Sequence, residues 1–377
     1  MPAATGVDGS VPEDIDAGVM TDAGEATDAG VTTDAGVTTD AGVTTDAGVV
    51  TDAGVVTDAG VVTDAGVTDG GCVLSSCLAP DVAGPYAVRQ GSFDLREPGG
   101  LTGRLVHLST YAPVGAPRAP VVILHPGFQL AGTLYASYAQ HLASRGIVTV
   151  IADPPDALVG GPTHADLAKY LGDVVTWVGA EAADGGLVGV ADPSLLGLVG
   201  HSMGGKISML FASGDARPRA VMGIDPVDAA GGPLTSVGPD YPSVTPELMG
   251  SLHVPLALVG ETTNASCSGS FCQACAPAAD NFAQYASHAT SPTVSLEVMG
   301  ANHMSFLDNP ACGFTCSACS AGTDDPAQTR RLTRRTMTAF FDLELRNDLG
   351  ARSWLAGAAL QPDVADGGVK LLTFNGF

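Results

Sequence analysis

Positive charge is scarce in this sequence: 16 Lys and Arg stand against 40 Asp and Glu, a net charge of −24 over 377 residues. Such a surface repels nucleic-acid phosphates and anionic membranes, so no nucleic acid is expected as a partner. Long apolar runs are missing too. Although 45% of the residues are hydrophobic, no uncharged stretch reaches the roughly 18 residues that span a bilayer, and no transmembrane segment is expected. The opening Met1-Pro2-Ala3 is followed by neither a basic n-region nor an apolar h-region, so no signal peptide is visible in the chain as given.

Eight cysteines are present, and they fall in tight groups: Cys72 and Cys77; Cys267, Cys272 and Cys275; Cys312, Cys316 and Cys319. Two readings compete. Cys272-x-x-Cys275 and Cys316-x-x-Cys319 could together supply four thiolates to zinc. The pairs are spaced more widely than in a compact zinc ribbon, and the extra cysteine in each group suits disulfides better. Disulfides, no metal and an oxidising compartment are therefore expected, extracellular or at the cell surface, with the periplasm as an alternative. The two later groups flank His303 in sequence, so bridges there are expected to fix the loop that carries it.

Eight tandem hexads, from TDAGEA through TDAGVT and TDAGVV, run from Thr21 to Thr68. Residues 1–71 hold 14 acids and no Lys or Arg, so they carry −14 of the −24. Repeated Asp-Ala-Gly offers no large side chain to bury, which predicts a disordered, self-repelling stalk. The hexad lacks the nonapeptide spacing of calcium-binding β-rolls. Residues 72–85 read as a linker with a Cys pair, 86–350 as the folded body, and 351–377 as a C-terminal extension.

Within the body, apolar strand-like runs alternate with helical patterns. Strands are expected at 88–95, 102–110, 121–124, 147–151, 195–199, 220–224, 255–259 and 293–298. Between and after them, helices are expected at 134–145, 165–180, 203–212, 278–288 and 326–345. This order predicts an α/β fold, a mostly parallel sheet with helices on both faces, and chemistry in the loops after the strands' carboxyl ends.

Gly200-His201-Ser202-Met203-Gly204 stands between one expected strand and a helix, where a sharp turn would lift the Ser202 hydroxyl above the sheet. A serine hydroxyl is a weak nucleophile and needs a base, itself oriented by an acid. His303, in the loop after strand 293–298, is the expected base; His201 reads as a packing neighbour inside the turn. The acid is expected at Asp225, at the tip of strand 220–224, with Glu261 and Asp228 as alternatives. The loop after 255–259 contains no Asp. Two backbone N–H groups, of Met203 and Phe128, are the expected oxyanion donors, each worth roughly 2.7 to 4 kcal/mol. No cofactor is called for.

These residues resemble the chlorophyllase-like and dienelactone-hydrolase-like branch of the α/β-hydrolases. The resemblance spans about residues 86–345. It rests on His125-Pro126-Gly127-Phe128, the run from Tyr138 to Gly146, Gly200 to Lys206, Gly223-Ile224-Asp225-Pro226-Val227-Asp228, and Asn302-His303-Met304. It implies the α/β-hydrolase fold, ester hydrolysis, and Ser202, Asp225 and His303 as the triad. Met203 replaces the arginine usual in that family's turn. The Gly-His-Ser-Met-Gly-Gly turn is also similar to cutinase-like, polyester-hydrolysing enzymes, which carry their acid one strand later.

The expectation is thus a serine carboxylic ester hydrolase working through an acyl-enzyme on a small-molecule or polymeric ester. Chlorophyllase-like, polyester- or cutinase-like and lipase activities are the variants within that class. A different class, an inactive surface-binding protein on a hydrolase fold, would also suit the stalk and cysteines. Oligomeric state is not legible in the sequence.

Overall fold

The computed structural model describes residues 72–96, 105–154, 161–230, 235–267 and 274–377. The stalk expected at 1–71, Cys272 and the first residues of the strand expected at 102–110 lie outside them.

In chain order the elements are β1 (Val88–Arg96), β2 (Leu105–Pro113), β3 (Ala119–His125), α1 (Ala136–Ser144), β4 (Val148–Asp153), α2 (His164–Asp184) and β5 (Ala191–His201). They continue with α3 (Met203–Ala212), β6 (Pro218–Ile224), β7 (Leu256–Gly260), α4 (Phe282–His288), β8 (Thr293–Val298) and the short α5 (Phe314–Ser317). Last come α6 (Pro326–Arg346), α7 (Arg352–Ala356), α8 (Gln361–Ala365) and β9 (Val369–Asn375). The strands form one nine-stranded sheet in the order β1-β2-β4-β3-β5-β6-β7-β8-β9. Strands β4, β3, β5, β6, β7 and β8 run parallel; β1 and β2 at one edge and β9 at the other are antiparallel.

The central strands are apolar along their whole length because both faces are covered. Val122 and Leu124 of β3 point into a core built with Tyr138 of α1 and Phe340 and Phe341 of α6. Their neighbours Val121 and Ile123 point the other way, against Leu171 and Val174 of α2 and Ile207 of α3. A parallel sheet buried on both sides gives this unbroken hydrophobic signature instead of alternation. Helix α2 starts on a reciprocal cap, Thr163 accepting from the Asp166 N–H while Asp166 accepts from that of Thr163.

Residues flanking the expected body are tied to it. Residues 351–377, set apart in the sequence as an extension, supply β9, which pairs with all six residues of β8. Within 72–85, read as a linker, the Ser75 N–H and hydroxyl both donate to buried Asp342 of α6, at 3.0 and 2.7 Å. The Ser76 N–H donates to Asp348, and Trp354 Nε1 donates to the Ser75 carbonyl. Buried Arg145 donates to the carbonyls of Leu78, Ala79 and Val82 while contacting Asp342 at 3.4 Å.

Disulfides join Cys72 to Cys77, Cys275 to Cys319 and Cys312 to Cys316, and Cys267 is also disulfide-bonded. This rules out the zinc reading for Cys275, Cys316 and Cys319. The bridges are compatible with an extracellular location. Among the described residues no helix is long and apolar enough to cross a membrane.

Candidate active site

The turn from β5 into α3 is made by glycines that no other residue could replace. A Cβ on Gly204 would collide with the carbonyls of His125 and Pro126, and one on Gly200 with the backbone of Gly204 and Gly205. This close approach lets the loop after β3 lie directly on the first turn of α3. Between the glycines, Ser202 takes φ 54° and ψ −123°, a left-handed conformation that L-residues adopt only under constraint. Its N–H donates to the Ile224 carbonyl at 3.0 Å, and its own carbonyl accepts from Gly205, Lys206 and Val227. The serine is thus fixed through its backbone, leaving the side chain for chemistry.

Asp225, one residue past β6, is fully buried and also has positive φ, 42°. Its Oδ2 lies 2.6 Å from His303 Nδ1, and His303 Nε2 lies 2.8 Å from Ser202 Oγ. The carboxylate fixes the tautomer: Nδ1 carries the proton and donates to Asp225, which leaves Nε2 to accept from the serine hydroxyl. Burial pushes the imidazole down to about 4, so the ring is neutral near pH 7. The arrangement can take a proton from Ser202 Oγ and hold the resulting imidazolium against a buried carboxylate.

Ser202, Asp225 and His303 are therefore brought together from three strand ends. Phe128 and Met203 are placed beside them: Met203 opens α3, where helix geometry leaves its N–H without an intrahelical partner. A Cβ on Gly127, next to Phe128, would sit 3.2 Å from Ser202 Cβ. It is Asp225, and neither alternative acid, that meets His303 Nδ1. Asp228 accepts from the hydroxyls of Ser243 and Thr245 and the N–H groups of Val244 and Thr245, and pairs with buried Lys206 at 3.2 Å. Glu261 stands behind Asp225, its N–H donating to Asp225 Oδ1 at 3.2 Å and its Oε2 accepting from the Asn264 N–H at 2.8 Å.

Several positioning residues went unseen in the sequence. His201 is more than a packing neighbour: its Nε2 donates to the His303 carbonyl at 3.0 Å, and its Nδ1 accepts from the Tyr135 hydroxyl at 2.8 Å. Tyr135 in turn accepts from the Gly127 N–H at 3.1 Å, so one chain of bonds joins the loop after β3 to His303. On the other side, Asn264 accepts from the His303 N–H, and Asn264 and Asn302 both donate to the Ser320 carbonyl. Ser320 follows Cys319, the residue bridged to Cys275. Only the neighbouring cysteines signalled this arrangement.

Asp225, Glu261 and His303 also place three possible metal-ligand atoms within 4.8 Å of one another. Both His303 nitrogens, however, already face Ser202 and Asp225, and an ion here would break that line of hydrogen bonds.

A model of the chlorophyllase family matches residues 100–359, from β2 through α7. The chain belongs to the chlorophyllase family. Among its similar curated proteins, Chlorophyllase-1 of Arabidopsis thaliana is 27% identical over 251 residues, covering 62% of this chain and 74% of that protein. Chlorophyllase-2 of the same plant is 24% identical over 249 residues, covering 63% and 76%. Membership of the chlorophyllase family makes the chain a hydrolase of the ester-cleaving kind, and the matched region holds Ser202, Asp225 and His303.

Proposed function

We propose that the protein is a serine carboxylic ester hydrolase that works through an acyl-enzyme. The observation that carries this is the continuous line Ser202 Oγ, His303 Nε2, His303 Nδ1, Asp225 Oδ2, at 2.8 and 2.6 Å. His303 takes the hydroxyl proton as Ser202 Oγ attacks the ester carbonyl, and Asp225 stabilises the imidazolium that forms. Negative charge on the carbonyl oxygen is met by the Met203 and Phe128 N–H groups. His303 returns its proton to the leaving alkoxide. A water, deprotonated by the same ring, then releases the acid from Ser202.

Family membership supports the bond type, and the chlorophyllase names of the two relatives make chlorophyll one candidate ester. Small aliphatic esters, lipids and polyesters present the same carbonyl to the same machinery. A panel of esters varying in acyl and alcohol parts would rank them. Fluorophosphonate probes should label the protein at Ser202, and Ser202→Ala should lower p-nitrophenyl butyrate hydrolysis by about 10^4-fold or more. Hydrolysis that survives the substitution would overturn the assignment.

A further inference from the structure

Two carboxyl groups lie buried side by side at the ends of β6 and β7, and the mechanism above uses one. Glu261 is wholly shielded from solvent, as is Asp225. One of its oxygens accepts from the Asn264 N–H; the other, Oε1, is buried and among the described residues receives no N–H or hydroxyl donor. An ionised carboxylate would leave that oxygen bare beside a second negative charge, a costly arrangement in a site shielded from solvent. Two like charges so placed cannot both persist near neutral pH.

Asp225 is the member equipped to stay charged, since it accepts from His303 Nδ1 and from the Glu261 N–H. Glu261 meets the backbone N–H groups of Asn264 and Thr263 in its own loop, and its carboxyl lies against that of Asp225. The titratable groups facing it are Asp225 from the loop after β6 and His303 from the loop after β8. Through Asn264, which accepts from the His303 N–H at 2.9 Å, the Glu261 turn also touches the backbone of the base.

We propose that Glu261 is a positioning residue for the Asp225–His303 pair, keeping one proton between two buried carboxyl groups so that Asp225 holds the charge and its orientation toward His303. Burial raises both carboxyls, and the charge of Asp225 pushes Glu261 further up. Resting on the triad assignment, this makes Glu261 a neutral partner whose loss of a proton at alkaline pH would place a second negative charge against Asp225. The turn between them would then spread and the Ser202–His303 geometry would loosen.

The test is Glu261→Gln beside Glu261→Ala, read by the pH profile of kcat and by infrared difference spectra. Glutamine keeps the shape and neutrality of a protonated glutamate. Glu261→Gln should retain kcat within about threefold at pH 7 and lose an alkaline fall-off present in the wild type; Glu261→Ala should lose tenfold or more. Wild type minus Glu261→Gln spectra should show the carbonyl stretch of a protonated carboxylic acid at pH 7. An ionised Glu261 in the spectra, or an identical alkaline limb in wild type and Glu261→Gln, would overturn the proposal. Should Glu261→Ala not fold, the glutamine variant and the spectra decide alone. The infrared signal requires no activity, so it separates failure of this proposal from failure of the serine hydrolase assignment.

Discussion

The two halves of the site are built from different materials. On the nucleophile side, Ser202 and the loop after β3 are held by backbone against backbone, with glycines at the points of closest approach. On the base side, His303 is held largely by side chains, those of Asp225, Asn264 and His201, with the Glu261 N–H on Asp225 and the Cys275–Cys319 bridge behind them. The first half depends on the absence of side chains and the second on their presence. Errors in the first should thus be structural and abrupt, while changes in the second should be graded and separable from folding.

The largest effect that would sharpen this contrast is expected from Gly204→Ala, which drives a methyl group into two carbonyls that cannot move aside. A loss of about 4 kcal/mol or more in urea unfolding, with fluorophosphonate labelling abolished, is expected. A stable, fully labelled variant would break the comparison. On the base side, replacing Cys275 and Cys319 together by Ser opens a loop of 44 residues and should cost about 4 kcal/mol by the chain-entropy argument. At temperatures where the sheet's circular dichroism is unchanged, kcat should fall about tenfold. Parallel loss of activity and sheet signal would show instead that the bridge merely holds the fold.

The smallest expected effect reaches both halves. Burial lowers five imidazoles, those of His125, His141, His164, His201 and His303, below the ordinary histidine value. The folded chain keeps His125, His141 and His303 neutral to about pH 4 and His164 to about 3, and burial pushes His201 well below its ordinary value, while the unfolded chain protonates all five near 6.5. Between those values the unfolded state binds more protons, so stability is complete above 6.5 and falls as pH drops. The proton shared by Asp225 and Glu261 acts in the opposite direction but is outnumbered. Urea titrations at pH 7 and pH 4.5 should differ by about 2 kcal/mol or more, and a flat profile would contradict this.

The nucleophile half was the more legible in sequence because its constraints are local. Gly200, Ser202 and Gly204 stand within five residues, and a strand ending in Val199 followed by a helix at Met203 gives the turn its context. His303 and Asp225 could be located from the strand ends that precede them. Glu261 could be read only as a weaker candidate acid, because its partner is a neighbouring strand tip 36 residues away. Tyr135, Asn264 and Ser320 gave no signal, since a single polar residue in a loop shows neither periodicity nor spacing. For the fold, the doubly buried strands were clear from their apolar runs. Strand β9 was missed because, at a sheet edge, most of it is partly or fully exposed and its hydrophobic pattern is correspondingly weak. Residues 72–85 were read as a linker because hydrogen bonds donated by Ser75 and by Arg145 replace regular structure there.

Those same bonds decide how the body would carry load. A pull applied through the chain preceding Cys72 reaches the body first at Ser75 and Ser76, which grip Asp342, Asp348 and Trp354. These anchors lie on α6, in the turn after it and on α7, and the Arg145 contacts to residues 78–82 stand next in line. Tension would therefore load a helix on one face before it reached β1. In mechanical terms the segment from Ser75 to Val82 would act as the first clasp on the body, ahead of any strand.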